Sequence, residues 1–90
     1  MDFPLFEDVI LLVDLPEEGV LAGDVGVVVE RHDVPGLETG YSVEFFNMSG
    51  DTVAVITAPE SQLRRPAATD RPTIRQPLNP RPTQIASYAG

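Results

Sequence analysis

The chain has no cysteine, no tryptophan and no lysine, and only one histidine among its 90 residues. Without cysteine there are no disulfides, no thiol nucleophile and no zinc–thiolate site. With His32 alone, a site built from several histidines is excluded, and a solvent-exposed loop position is the expectation for that ring. Long apolar runs are missing too. Val9–Val13 is five residues long and follows acids, which suits neither a signal peptide nor a membrane span. A cytoplasmic protein that does not engage a membrane is expected. The absence of lysine is explained as well by codon usage as by chemistry, and it carries no argument.

What charge there is falls unevenly. Residues 1–63 hold 13 acids and one base, Arg31, for a net −12; residues 64–90 hold five arginines and Asp70, for +4. Together they give the overall −8. An acidic body repels a phosphate backbone, so no nucleic-acid partner is expected. The basic tail suits an acidic surface instead.

Short β-capable stretches alternate with turn signals. Asp8–Leu15 is an apolar run closed by Pro16, and Asp24–Arg31 is rich in β-branched valine. Tyr41–Asn47 alternates, with Tyr41, Val43 and Phe45 on one face. Met48–Asp51 reads as a tight hairpin connection, and Thr52–Thr57 as the returning strand. A single helical turn fits Ala58–Arg65, with Leu63 in a last short strand. The predicted core is Val9, Leu11, Leu12, Val13, Leu21, Val25, Val27, Val29, Val43, Phe45, Val53, Val55, Ile56 and Leu63. Strand signals about ten residues apart, with no long helix, predict an all-β protein: a small SH3-like antiparallel barrel of about five strands over residues 1–65.

From Arg64 onward the periodicity ends. Five of the nine prolines lie in these 27 residues, which predicts an extended Pro/Arg-rich tail over 66–90, partly polyproline II. Arg-Pro-Thr recurs at Arg71 and Arg81, about 31 Å apart at the polyproline II rise of roughly 3.1 Å per residue. Chance recurrence and a pair of docking elements both account for it.

The stretch "LPEEGVLAGDVGVVVE" (Leu15–Glu30) raises the question of a phosphate cradle at Gly23–Gly26. Such a loop needs a helix starting behind it, so that free amides and the helix dipole meet the anion. Here valines follow, and Asp14, Glu17, Glu18 and Asp24 surround it. A barrel corner is the better reading.

These residues also carry a resemblance. Leu15, Pro16, Glu17, Gly19, Gly23, Asp24, Gly26, Val28, Val29 and Glu30, then Val43, Glu44 and Phe45, then Leu63 and Arg64, resemble the pattern of a small bacterial family of unknown function with a compact SH3-like domain. The likeness spans about residues 5–65, with Val20 where the pattern has leucine. It implies the fold and transfers no catalytic residue. The Gly-Asp-x-Gly-x-Val-Val corner is also distantly similar to RNA-binding SH3-like modules, which are usually basic where this chain is acidic.

No catalytic, cofactor or metal site is expected. Glu7, Asp8, Asp14, Glu17, Glu18 and Asp24 lack the spacing of a calcium loop and read as a solvated face. Ser49, Ser61 and Thr57 have no base near them in sequence. Phe45 and Phe46 are adjacent on a strand, so one faces inward and the other outward. The outward ring, with Tyr41 or Phe3, either makes an apolar patch or packs at the core and its rim, and the second is the better reading.

Two functional expectations remain. One is a non-catalytic interaction protein or accessory subunit. Its barrel docks on a larger partner, or on a neighbouring copy, while Arg71, Arg75, Arg81, Ile74, Leu78, Ile85 and Tyr88 of the tail, with Phe46 of the body, make contacts. The other is an antitoxin-like acidic regulator that occludes a basic site of an enzyme.

Overall fold

A computed structural model describes residues 2–71. Five antiparallel strands form one curled half-barrel: β1 (Asp8–Leu11), β2 (Val25–His32), β3 (Gly40–Phe46), β4 (Thr52–Pro59) and β5 (Leu63–Arg64). They lie in the order β4-β3-β2-β1-β5, which leaves β4 and the two-residue β5 as the edges. The only helical segments described are two 3₁₀ turns, Pro16–Glu18 and Glu60–Gln62. The second begins where Glu60 N–H donates to Thr39 C=O, and Glu38 accepts from both Ser61 N–H and Ser61 Oγ.

β1 is shorter than the sequence suggests, ending at Leu11 rather than Leu15. The chain then turns, and Leu15 and Val20 bridge across the first 3₁₀ turn. Hydrophobicity alone does not mark the break, because Leu12 and Val13 continue the apolar run although Leu12 N–H makes the last bond, to Gln62 C=O, before the chain turns.

The concave face holds the core of Phe3, Val9, Leu11, Val20, Val28, Tyr41, Val43, Phe45, Ile56, Ala58 and Leu63. Six of the expected core residues are there, and Val13 packs against it. Leu12, Val25, Val53 and Val55 are exposed instead, while Leu21, Val27 and Val29 are half-buried. Register explains the difference. Val9 pairs with Gly26, so Gly26 and Val28, not Val25 and Val27, point inward on β2. On β4 the inward residues are Ala54, Ile56 and Ala58, set opposite Phe45, Val43 and Tyr41. A large ring meets a small alanine in two of these pairs, which keeps the packing dense.

Gly26 belongs to the same arrangement. A Cβ there would stand 2.5 Å from Val43 Cγ1 and 2.9 Å from Phe45 Cε1. Its φ lies outside the left-handed region; the side chains of β3 need its space. Tyr41 and Phe3 are not surface residues. Their rings meet edge to face at 5.2 Å, and Phe3 N–H donates to the buried Tyr41 hydroxyl at 3.1 Å.

The chain beyond β5 is not patternless at once. Arg64 makes a bidentate pair with Asp70, 2.8 Å on each nitrogen, and Arg65 donates to Asp2 C=O. Asp70 also accepts from Ala67 N–H. These donors hold its carboxyl well below the usual carboxylate range, with the Arg64 hydrogen bonds the largest cause.

Candidate functional site

The Gly23–Gly26 corner is the most motif-like stretch of the sequence. Gly23 adopts φ +97°, the left-handed region that suits glycine. Its N–H donates to Leu11 C=O, and Asp24 N–H to Leu21 C=O. Leu21 N–H donates to Asp24 Oδ2, and Ala22 N–H to Asp14 Oδ1. Four successive amides are thus satisfied within the loop, two of them by carboxylates. An anion would have to displace both. The corner is structural.

Next is a Ser–His contact that sequence spacing hides. His32 sits at the end of β2, half-buried rather than on a loop, and its Nε2 lies 2.8 Å from Ser42 Oγ. Ser42 Oγ is also 3.5 Å from Thr57 Oγ1. The nearby carboxylate, Glu30, stands 3.9 Å from the same Nε2. A catalytic triad places its carboxylate on the other ring nitrogen, where it fixes the tautomer. Here both neighbours share one nitrogen, and the contact ties β2, β3 and β4 together. Only the ten-residue separation in sequence concealed it.

An open depression of about 260 Å³ is lined by Phe3, Pro4, Glu7, Asp8, Arg65 and Pro66. That is below the usual size of small-molecule sites, and its arginine already donates to Asp2 C=O. Among the described residues no three His, Cys, Asp or Glu side chains gather to hold a metal ion, and no helix is long and apolar enough to cross a membrane.

What remains is the convex face of β2, β3 and β4. Phe45 is the inward ring of its pair, and Phe46 is 46% exposed on the outside. Val53 and Val55, expected in the core, stand outward on β4 at 56% and 55% exposure. Met48, in the hairpin connection, is almost fully in water. Across the three strands the register places Val27, Glu44 and Val55 in one row. Glu44, at its centre, accepts from the Thr52 hydroxyl. Val27 and Val55 flank this carboxylate, and Phe46 and Val53 stand beside the row on the same sheet.

Of the residues expected to touch a partner, Phe46 belongs to this face, and Arg71 is exposed at the end of the described chain. Arg75, Arg81, Ile74, Leu78, Ile85 and Tyr88 lie outside the described residues. The patch valines lie on strands with apolar residues on both faces, so hydrophobicity alone places them in the core.

Residues 5–65 match the family described as Domain of unknown function (DUF4926). The chain belongs to this family. No curated protein and no solved structure matches it. The matched span ends one residue past β5, so membership covers the whole sheet and leaves the chain beyond Arg65 outside it.

Proposed function

We propose that this family member is a non-catalytic interaction module, an accessory subunit that docks on a larger protein through the convex face of β2, β3 and β4. The observation that carries this reading is the outward row of Val27, Glu44 and Val55, with Phe46 and Val53 beside it, all on one rigid sheet. Apolar side chains on a packed scaffold bind with little loss of conformational entropy, and the carboxylate among them selects for a cation in the partner. The body is an SH3-like barrel in this reading, supported by the strand order and by the 3₁₀ turn leading into the last strand. The Pro/Arg-rich segment beyond residue 71 lies along the same partner and adds cationic contacts. Neither nucleic acid nor membrane is the target.

The acidic charge of residues 1–63 favours a second reading of the same surface: the partner is a basic enzyme, and docking occludes its site. Both are tested by affinity capture with the full chain and with Val55→Glu, Phe46→Glu and Leu37→Glu variants. Leu37 is an exposed control in the β2–β3 connection. A protein retained by the parent and the Leu37 variant but lost with the other two supports the docking face. A capture profile identical for all four contradicts it. Inhibition of the captured partner's activity would select the second reading.

A further inference from the structure

The edge of the sheet beside this face has an unusual composition. β4 runs for eight residues, Thr52-Val-Ala-Val-Ile-Thr-Ala-Pro59, without one charge. Edge strands are ordinarily blunted by charge, proline or a bulge, or are covered, because their unpaired amides and carbonyls invite another strand; here Pro59 and the bulge beside Phe46 guard only the two ends. Among the described residues β4 has only β3 as a neighbour.

The ladder shows which groups face outward. Glu60 N–H donates to Thr39 C=O, one step beyond the Gly40–Pro59 pair. In an antiparallel ladder mutually bonded pairs alternate with unbonded ones. Tyr41–Ala58, Val43–Ile56 and Phe45–Ala54 are therefore the bonded pairs. The N–H and C=O groups of Val55 and Thr57 point away from β3. Pro59, which has no N–H to offer, falls on the outward-pointing set, as a proline at a sheet edge should.

We infer that β4 is a strand-acceptor edge, taking an extended segment of a partner protein that alternates apolar side chains and carries cationic residues at its ends. This deepens the docking reading above and rests on it. The charge pattern selects this occupant. Asp51 immediately precedes the strand and Glu60 follows it, while Glu44 stands in the middle of the adjoining row. A second copy is disfavoured by the same residues. An antiparallel β4–β4 pair centred on Val55 or Ile56 brings Asp51 of each copy within one position of Glu60 of the other, at both ends, between bodies that are each strongly negative. Like charges opposed across strands destabilise the pair. Arginine or lysine flanks reverse that sign, and the partner's alternate apolar residues meet Val53 and Val55 on the convex face.

The test uses the isotope-labelled full chain and a synthetic probe, the blocked peptide Arg-Thr-Val-Thr-Val-Thr-Val-Arg. Three further probes replace its end arginines with glutamate, N-methylate the amides of one edge, or N-methylate those of the other. Addition of the parent peptide is expected to shift the Val55 and Thr57 amide resonances and slow their hydrogen exchange at least tenfold. The glutamate version should bind at least tenfold more weakly, and one of the two N-methylated versions should not bind. No response at Val55 and Thr57 overturns the inference. Equal binding by both N-methylated peptides does so too, while leaving the apolar face intact as a docking surface. Concentration-dependent protection of these amides without peptide, together with a dimer mass, would give the edge to a second copy and also overturn it. Because the changes are made in the peptide, no outcome is confused with misfolding.

Discussion

Ile10 and Val55 stand on the same convex face of one sheet, yet Ile10 is 4% exposed and Val55 is 55% exposed. Ile10 lies at the β1–β5 end, paired with Val25 on one side and Arg64 on the other. The Arg64 stem shares its face, and Asp70 holds the guanidinium in place. Ile10 is buried, but it does not belong to the concave core cluster. At the β3–β4 end no described segment plays the part of that clasp. At the β1–β5 end Ile10 is buried beside a partner, Val25, that is 39% exposed, whereas at the β3–β4 end Phe46, Val53 and Val55 are all about half exposed.

The concave face sets the scale for breaking this contrast. Phe45→Ala should cost about 3–5 kcal/mol in denaturant unfolding, since the ring is buried in the core, while Phe46→Ala should cost less than about 0.5 kcal/mol. Equal losses would show that the outward ring is packed as well. At the closed end, Ile10→Ala should cost about 2–5 kcal/mol in the same assay. A loss under about 0.5 kcal/mol would make the two ends alike and remove the contrast. Gly26→Ala, whose new methyl would meet Val43 and Phe45, should cost about 1–3 kcal/mol through overpacking. A neutral or stabilising result would mean that β3 yields easily there.

The clasp itself has a pH signature. The Asp70 carboxyl titrates lower in the folded chain than in the unfolded one. The unfolded state therefore binds more protons as acid is added, so the stability contributed by Asp70 is fully present above about pH 4 and is lost as pH falls toward the folded value. Asp70→Asn should remove this part of the acid limb, so that the parent's advantage over the variant is constant from pH 6 to 8 and shrinks as pH falls toward 2. Unfolding curves taken from pH 7 down to pH 2 check it. An acid limb identical in the variant would show that Arg64 closes the face without its partner.

Much of this was legible in the sequence, and the part that was not has one cause. Valine-rich runs and turn residues locate β2, β3 and β4 to within two residues at each end. The alternation of Tyr41, Val43 and Phe45 also assigns the inward face of β3 correctly. The face of β4 is a different matter. Val55 and Ile56 were both expected inside, which neighbouring residues of a strand cannot satisfy. Hydrophobicity favours the valines, but Ala54 and Ala58 are inward because Phe45 and Tyr41 lie opposite and fill the volume. Gly26 is inward on β2 for a similar reason. Small residues beneath aromatic rings mark the core here, and the large aliphatics next to them mark the open surface. The Ser42–His32 contact and the Arg64–Asp70 clasp depend on distances that only the folded chain supplies.

The most direct test places a photoreactive benzoylphenylalanine at position 55 or, as a more exposed control, at position 37 in the full chain, followed by irradiation in the producing cells. A docking face at the open end predicts a discrete covalent adduct to another protein from position 55 and none from position 37. No adduct from position 55, or the same adducts from both positions, would contradict the central claim.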